Sequence, residues 1–324
     1  MHSSPSWRIL GGVSEARRRG VVTAWLLLVP GLCACGPAGA TASEPGVAVE
    51  HPGERVRMAV IGDYGLAGPD AEAVAELVRS WSPDLVITLG DNNYPDGRAS
   101  TIDENVGQYY HSFIAPYVGR FGPGADTNRF FPSLGNHDWR TPGPWPHLDY
   151  FTLPGNERYY ELQWGPLHLF AVDSDPQEPD GNTIDSEQAR WLREHMSASA
   201  LPWQVVYMHH PPYSSGDHGS SRGMRWPFAQ WGADVVMSGH DHHYERIERD
   251  GLPYFVNGLG GNPNRYSLRR PVPGSMVRFR DAHGAMLVEA TPDRLELRFV
   301  TVSGEEIDSR VITRDPVLAP VPEP

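Results

Sequence analysis

Five short apolar runs in this chain each lead directly into a polar cluster rich in residue types that bind metal ions. The runs, each with the cluster that follows it, are Val56–Ile61 before Gly62-Asp63, Asp84–Leu89 before Gly90-Asp91, Phe130–Leu134 before Gly135-Asn136-His137, Gln204–Met208 before His209-His210, and Asp234–Met237 before Ser238-Gly239-His240. Continuous apolar runs of this length predict strands that are buried on both faces. A carboxylate at the end of such a strand is costly unless it is paired or bound to a metal. One such cluster is typical of a turn or a helix cap, but five of them indicate a shared metal site.

Helical patterns alternate with these runs. Residues 69–81 place four apolar side chains on one stripe, those of Val74, Leu77, Val78 and Trp81. A second helix is predicted to begin at residues 185–188, whose sequence resembles a capping box. Strands that alternate with helices predict a largely parallel sheet with both faces covered. In such sheets ligands bind beyond the carboxyl ends of the strands, which is where all five clusters fall.

The pattern changes after His243, where apolar segments are separated by Gly and Asp turns. These later segments are Pro253–Val256, Gly284–Val288, Arg294–Val300 and Ser309–Ile312. They predict antiparallel strands of a second sheet. The expected fold class is therefore α/β, a four-layer α/β/β/α sandwich of two mixed sheets within one domain over residues 56–314.

The charge balance excludes one class of partner. The chain has a formal net charge of -13 at pH 7 over 324 residues. Because such a balance repels nucleic-acid phosphates, we expect no nucleic-acid partner. If the substrate is itself an anion, a local group of positive charge must attract it.

The N-terminal residues have the features of an export signal. A basic segment ends at Arg17–Arg19, and an apolar run at Val21–Pro30 precedes small residues. The apolar run is too short for a stable membrane span. The expected segments are an export leader at 1–42, a polar linker at 43–55, the folded domain at 56–314 and a Pro-rich tail at 315–324.

Two routes of maturation stay open for this leader. The stretch Leu32–Cys35 resembles a bacterial lipobox, which predicts a lipid on Cys35 and anchoring at the cell envelope. Cleavage after Ala42 would instead release a soluble secreted or periplasmic protein. Both cysteines of the chain, Cys33 and Cys35, lie in this segment, so the folded domain has no disulfide.

Two histidines in the last cluster are separated by one residue. In an extended chain, His240 and His242 place their side chains on the same face, so they are predicted to grip one metal or two adjacent ones. Because side chains alternate between the two faces of an extended chain, those of Asp241 and His243 are expected on the other face. We expect His243 to be a packing or surface residue.

The five clusters resemble, in order and spacing, the motifs of the purple acid phosphatases, a branch of the metallophosphoesterases or calcineurin-like phosphoesterases. The matching stretches are Gly62–Gly65, Gly90–Tyr94, Gly135–Asp138, His209–Pro211 and Gly239–His242. Most metallophosphoesterases carry Asp-x-His in the first motif, whereas this chain has Asp63-Tyr-Gly65. Instead it has Tyr94 three residues after Asp91, an exchange that is typical of the purple branch.

The resemblance implies two metal ions and the residues that bind them. The ligands of the first metal are then Asp63, Asp91, Tyr94 and His242, and those of the second are Asp91, Asn136, His209 and His240. Three anionic oxygens favour Fe(III) at the first site, and the second suits Fe(II), Zn(II) or Mn(II). Of the adjacent pair His209 and His210, the His-x-Pro match selects His209.

The resemblance also implies a reaction and its catalytic residues. Hydroxide generated by the two metals would hydrolyse a small phosphate monoester, as in acid phosphatases. Asn136 and His137 would bind the phosphate. His218, nine residues after His209, would bind the substrate and protonate the leaving group.

Three other functions stay open at this point. The same set of metal ligands could serve a phosphodiesterase or a nucleotide hydrolase. A binding protein that keeps the fold without the chemistry would lack a ligand, whereas this chain has all seven. A redox role would require a first metal that is readily reduced.

Overall fold

The computed structural model describes residues 48–49 and 55–314. The expected leader with Cys33 and Cys35, most of the expected linker and the Pro-rich tail lie outside the described residues. Two residues of the expected linker, Ala48–Val49, form a short strand beside Gln163 and Trp164. Within 55–314, no helix has the length and hydrophobicity that crossing a lipid bilayer requires.

The strands largely coincide with the apolar runs, to within two or three residues at each end. In chain order the strands are β1 (Ala48–Val49), β2 (Val56–Ile61), β3 (Leu85–Thr88), β4 (Phe130–Pro132), β5 (Tyr160–Trp164), β6 (Leu167–Ala171), β7 (Trp203–Tyr207), β8 (Val235–Ser238), β9 (Tyr244–Arg249), β10 (Leu252–Asn257), β11 (Ser275–Phe279), β12 (Gly284–Ala290), β13 (Arg294–Thr301) and β14 (Glu306–Thr313). The sequence patterns did not predict β1, β5, β6, β9 or β11.

Two of the helices are three turns long and the others are short. The α-helices are α1 (Pro69–Ser80), α2 (Ala99–Ile102), α3 (Gln108–Tyr110), α4 (Trp145–Tyr150), α5 (Glu187–Ala198) and α6 (Phe228–Trp231), joined by single turns of other helix types at Asp103–Gly107, His111–Phe113 and Arg222–Met224. α5 begins as predicted, because the Ser186 hydroxyl caps it by accepting a hydrogen bond from the backbone N–H of Ala189. Ala189 stands where a complete capping box has Glu or Gln.

The strands form two mixed sheets, which confirms the expected fold class. The eight-stranded sheet has the order β1-β5-β6-β7-β8-β10-β9-β11, and the six-stranded sheet has the order β14-β13-β12-β2-β3-β4. The predicted grouping of the strands was wrong. The five strands with polar clusters divide between the sheets, and later strands join both: β10 pairs with β8, and β12 pairs with β2.

Both faces of the eight-stranded sheet are covered by apolar side chains. In β6 and β7, Leu169 and Val205 face the core that lies against the six-stranded sheet. Their neighbours Phe170 and Val206 point the other way and pack with Leu192 of α5. This two-sided burial explains why these strands are continuous apolar runs in the sequence.

Candidate metal centre

The polar clusters follow neighbouring strands in both sheets. β2, β3 and β4 are parallel neighbours in the six-stranded sheet, as are β7 and β8 in the eight-stranded sheet. The carboxyl ends of parallel neighbours share one edge of a sheet. The loops from the two edges meet and bring together all seven predicted ligands, Asp63, Asp91, Tyr94, Asn136, His209, His240 and His242.

Three of these residues have a left-handed backbone conformation. The φ angles of Asp63, Asp91 and His240 are 55°, 54° and 71°, and each residue follows a glycine. Such angles cost about 1–3 kcal/mol each in residues other than glycine and cluster at functional sites. The prediction that His240 and His242 lie on one face of an extended segment was therefore wrong, because the chain turns sharply at His240.

Glycines allow these loops to approach one another closely. A Cβ atom on Gly135 would lie 2.1 Å from the backbone nitrogen of Asp91, and one on Gly90 would lie 2.6 Å from Nδ1 of His209. Both distances are far shorter than a real contact. Gly90 and Gly135 are thus required by close packing around the site, and Gly90 also by its φ of 84°.

The first group of side chains surrounds the Tyr94 hydroxyl. This oxygen lies 3.1 Å from Oδ1 of Asp63, 2.9 Å from Oδ2 of Asp91 and 3.3 Å from Nε2 of His242. His242 Nε2 is also 3.2 Å from Oδ1 of Asp63. These are the four residues that the resemblance assigns to the first metal.

The second group surrounds Nε2 of His209. This nitrogen lies 3.0 Å from Oδ1 of Asn136, 3.1 Å from Nδ1 of His240 and 3.4 Å from Oδ1 of Asp91. Asp91 therefore contributes one carboxylate oxygen to each group. The arrangement matches the ligand sets that the resemblance implies, and their binding of metal stays a prediction.

The donor chemistry of the second group fits a cation. Nδ1 of His209 lies 2.8 Å from the carbonyl oxygen of Leu89, so Nδ1 carries the proton and Nε2 presents a lone pair. Burial lowers the pKa of His209 to about 3, which keeps the ring neutral. The Nε2 lone pair faces the amide oxygen of Asn136 and a carboxylate oxygen of Asp91, so no hydrogen bond can form between Nε2 and either oxygen. A metal ion would satisfy all three atoms.

The first group also fits a cation, which would have to displace a proton. Burial and the charges of Asp63 and Asp91 raise the pKa of Tyr94 well above its usual value of 10.0, so the phenol is protonated in the metal-free site. Burial alone would lower the pKa of His242, but its hydrogen bond to Asp63 raises the pKa overall. Nδ1 of His242 is hydrogen-bonded to the carbonyl oxygen of Asn264, which leaves Nε2 facing Tyr94 and Asp63.

His210 has a different partner from His209. Its Nδ1 lies 2.9 Å from the Ser174 hydroxyl, which also accepts a hydrogen bond from the His210 backbone N–H at 2.8 Å. A ring nitrogen of His210 nevertheless lies within 4.8 Å of those of His209 and His240. The choice of His209 as the ligand agrees with its position between Asn136 and Asp91 and stays a prediction.

Asp241 faces away from the metal site, as expected, and holds the loop that carries His218. Its buried carboxylate accepts hydrogen bonds from the Ser214 hydroxyl at 2.5 Å and from the backbone N–H groups of His218 and Gly219 at 2.9 and 3.1 Å. The neighbouring His243 is fully buried, with Nε2 3.2 Å from Glu245.

The two predicted catalytic histidines lie beside different members of the predicted ligand set. The ring of His218 is 4.3 Å from that of His240, and no group in 55–314 hydrogen-bonds to its ring nitrogens. Nδ1 of His137 lies 2.6 Å from the carbonyl oxygen of Pro95, and its Nε2 lies 3.9 Å from Oδ2 of Asp91. Both rings therefore border the space in front of the predicted ligands.

The sequence patterns missed two supports of the site. Tyr266 stacks on His242 with ring centroids 4.2 Å apart, and the Asn264 carbonyl fixes the same imidazole.

Asp138 accepts hydrogen bonds from Gly135 N–H and from both nitrogens of Asn92, which ties two ligand loops together. Burial and the Asp91 charge raise the pKa of Asp138 to about 7. The Asn-Pro-Asn sequence ending at Asn264 follows β10 and was the available signal for the first support.

Comparison with protein families identifies the chain. The model of the calcineurin-like phosphoesterases matches residues 56–244, which include all five clusters and every predicted ligand. The chain belongs to the calcineurin-like phosphoesterase family. The resemblance drawn from the five clusters is thereby confirmed, and the family implies metal-dependent hydrolysis of phosphate esters.

Several relatives of this phosphoesterase are acid phosphatases. Tartrate-resistant acid phosphatase type 5 of Mus musculus is 23% identical over 310 residues, with 82% of this chain and 92% of the relative covered. Purple acid phosphatase 17 of Arabidopsis thaliana is 24% identical over 301 residues, with 80% and 85% covered. These relatives confirm the expectation of an acid phosphatase-type enzyme.

Two solved structures share the fold of this phosphoesterase. Purple acid phosphatase PPD1 from yellow lupin seeds has a TM-score of 0.66 at 19% identity, covering 81% of this chain and 54% of the lupin chain. GAP50, the anchor in the inner membrane complex of Plasmodium, has a TM-score of 0.62 at 16% identity, covering 81% and 89%. At this identity the likeness shows the fold alone.

Proposed function

We propose that this chain hydrolyses small phosphate monoesters at a dinuclear metal centre. The observation that carries the proposal is the position of Asp91, whose two oxygens face different groups of ligand side chains. A carboxylate in this position suits a bridge between two cations. The phenol and carboxylates of the first group favour Fe(III), and the imidazoles and amide of the second suit Fe(II), Zn(II) or Mn(II).

His137 is placed to donate a hydrogen bond to the bound phosphate. When bound, two metal ions polarise a phosphate ester and supply hydroxide at mild pH. Because Nδ1 of His137 donates to Pro95, Nε2 carries a proton only when the ring is doubly protonated. In that form Nε2 would donate to a phosphate oxygen.

His218 is placed to protonate the leaving group. Its ring is exposed, lies beside His240 and has both nitrogens available, while Asp241 anchors its backbone. A proton donor in this position stabilises the departing alkoxide without perturbing the metal ligands. The anchored backbone restricts where the ring can reach.

The reaction class is tested by initial rates on a phosphate monoester and a matched diester, from acid to alkaline pH, with metal content measured on the same sample. Faster monoester turnover at acid pH, with iron present, is the expected result. Faster diester turnover, or full activity with Mn or Zn alone at alkaline pH, would contradict the proposal and support the phosphodiesterase alternative.

His218→Asn is expected to lower kcat for an alkyl phosphate by about a hundredfold, the usual effect of losing a general acid. The loss on p-nitrophenyl phosphate should be much smaller, because its leaving phenolate is stable without a proton. Steady-state kinetics on both substrates measure the difference. His111→Asn, outside the site, is the matched control, and equal losses on both substrates would rule out the acid role for His218.

We also propose that the mature protein acts outside the cytoplasm and binds no nucleic acid. The export leader, with a lipid on Cys35 or cleavage after Ala42, supports this location. Mass spectrometry of the N-terminus of the mature chain distinguishes the two routes. An intact leader on the active protein would contradict both routes of maturation.

A further inference from the structure

The guanidinium of Arg140 lies at the mouth of the metal centre, beside the phosphate-binding side. Its Nη1 donates to the carbonyl oxygen of Pro95 at 3.0 Å, the same oxygen that His137 Nδ1 approaches at 2.6 Å. The guanidinium and the His137 imidazole are therefore neighbours. Arg140 is exposed, so the rest of the guanidinium is free to meet a ligand.

Tyr266 borders the same site next to His242 and His218. Its ring stacks on His242 and lies 5.0 Å from the ring of His218. Tyr266 therefore lies against both the first group and His218, the predicted leaving-group acid.

No carboxylate neutralises Arg140. In residues 55–314 its charge has no ion-pair partner, whereas Arg246, for comparison, binds Asp308 at 2.7 Å. The guanidinium also does not stack on an aromatic ring in that part of the chain. In a chain of net charge -13, an unpaired cation at the mouth of a phosphate-ester site supplies a local attraction for anions.

We propose that Arg140 is a specificity-determining residue that binds an oxyanion, either a carboxylate or a second phosphate, on the leaving group of the substrate. This inference rests on the proposed function, since it assigns a substrate class to the same site. A guanidinium has five N–H donors, and the bond to Pro95 uses one. The remaining donors match the two oxygens of a carboxylate or phosphate.

The test uses substrate pairs that differ in the second anion alone. 3-Phosphoglycerate and glycerol 3-phosphate compare a carboxylate with a neutral hydroxymethyl group on the same ester. Fructose 1,6-bisphosphate and fructose 6-phosphate do the same for a second phosphate. The full-chain, metal-loaded protein should show the higher kcat/KM for the member that carries the second anion in at least one pair, and the pair that responds identifies that anion.

Arg140→Gln should lower kcat/KM for the favoured substrate with a second anion about tenfold more than for its partner without one, through KM, because one charge-assisted interaction is lost. Arg140→Lys should recover part of the difference. Arg193→Gln, on exposed α5 surface, is the matched control and should change neither ratio. A loss that is equal for both members of each pair would assign Arg140 a structural role and overturn the inference.

Calorimetric binding on the same samples separates this inference from the proposed function. A wild-type protein that turns over no monoester would contradict the proposed function. Tighter binding of 3-phosphoglycerate or fructose 1,6-bisphosphate than of its partner without the second anion, lost in Arg140→Gln, would still support the anion subsite. Equal binding of both members of each pair by the wild-type protein would overturn the subsite whatever the turnover.

Discussion

Asp91→Asn is expected to abolish metal binding at both sites and to lower kcat/KM for a phosphate monoester by at least a thousandfold. Each Asp91 oxygen faces a different ligand group, so the single substitution removes a charge from both. Metal ions contribute several kcal/mol of transition-state stabilisation, and about 1.4 kcal/mol corresponds to a tenfold change in rate. Elemental analysis and steady-state kinetics on one sample measure both effects.

Asp185→Asn, the same change at an exposed position before α5, is the matched control and should leave metal content and rate unchanged. The Asp91→Asn variant should remain folded, because an amide has the same shape and removes a buried charge near Asp63 and Asp138. Thermal unfolding of the metal-free proteins tests this point. A folded variant that keeps two metals and full activity would show that Asp91 is not the shared ligand.

Removal of the metals by chelation is expected to abolish activity and to lower the melting temperature by about 10 °C. Binding at a thousand times Kd contributes about 4 kcal/mol, and each kcal/mol shifts the midpoint of a domain this size by about 2–4 °C. The structural reason is that the metal-free site holds Asp63 and Asp91 buried without a cation. Scanning calorimetry before and after chelation measures the shift.

Readdition of metal should restore both the melting temperature and the activity, which excludes irreversible damage by the chelator. The Asp91→Asn variant is the control for non-specific effects, since the chelator should leave its melting temperature unchanged. If the wild-type melting temperature and rate both survive complete removal of the metals, neither the fold nor the reaction depends on them.

The sequence predicted the parts of this molecule that local patterns encode. Continuous apolar runs marked β2, β3, β4, β7 and β8, because side chains buried on both faces leave no polar alternation. The capped start of α5 was likewise local. β5 and β9 were missed because they mix apolar residues with charged ones, such as Glu161 and Arg246, which are half-buried and paired with residues elsewhere in the chain.

The candidate site was also predicted in part. The order and residue types of the five clusters identified the seven side chains that the structure brings together. Asp138 belongs to the third matching stretch, but its role was missed, and the supports Asn264 and Tyr266 and the position of Arg140 were not accessible in the same way. Each depends on a contact between loops that are far apart in the chain, and single loop residues of these types are common on protein surfaces.

By itself, then, the sequence determined which strands are buried and which residue types stand at their ends, because both are properties of short segments. The tertiary structure decided that the five strands divide between two sheets, since strand pairing depends on which apolar faces pack together. It also decided the left-handed conformations of Asp63, Asp91 and His240. Those conformations are unfavourable in an isolated segment and persist only where the surrounding contacts hold them.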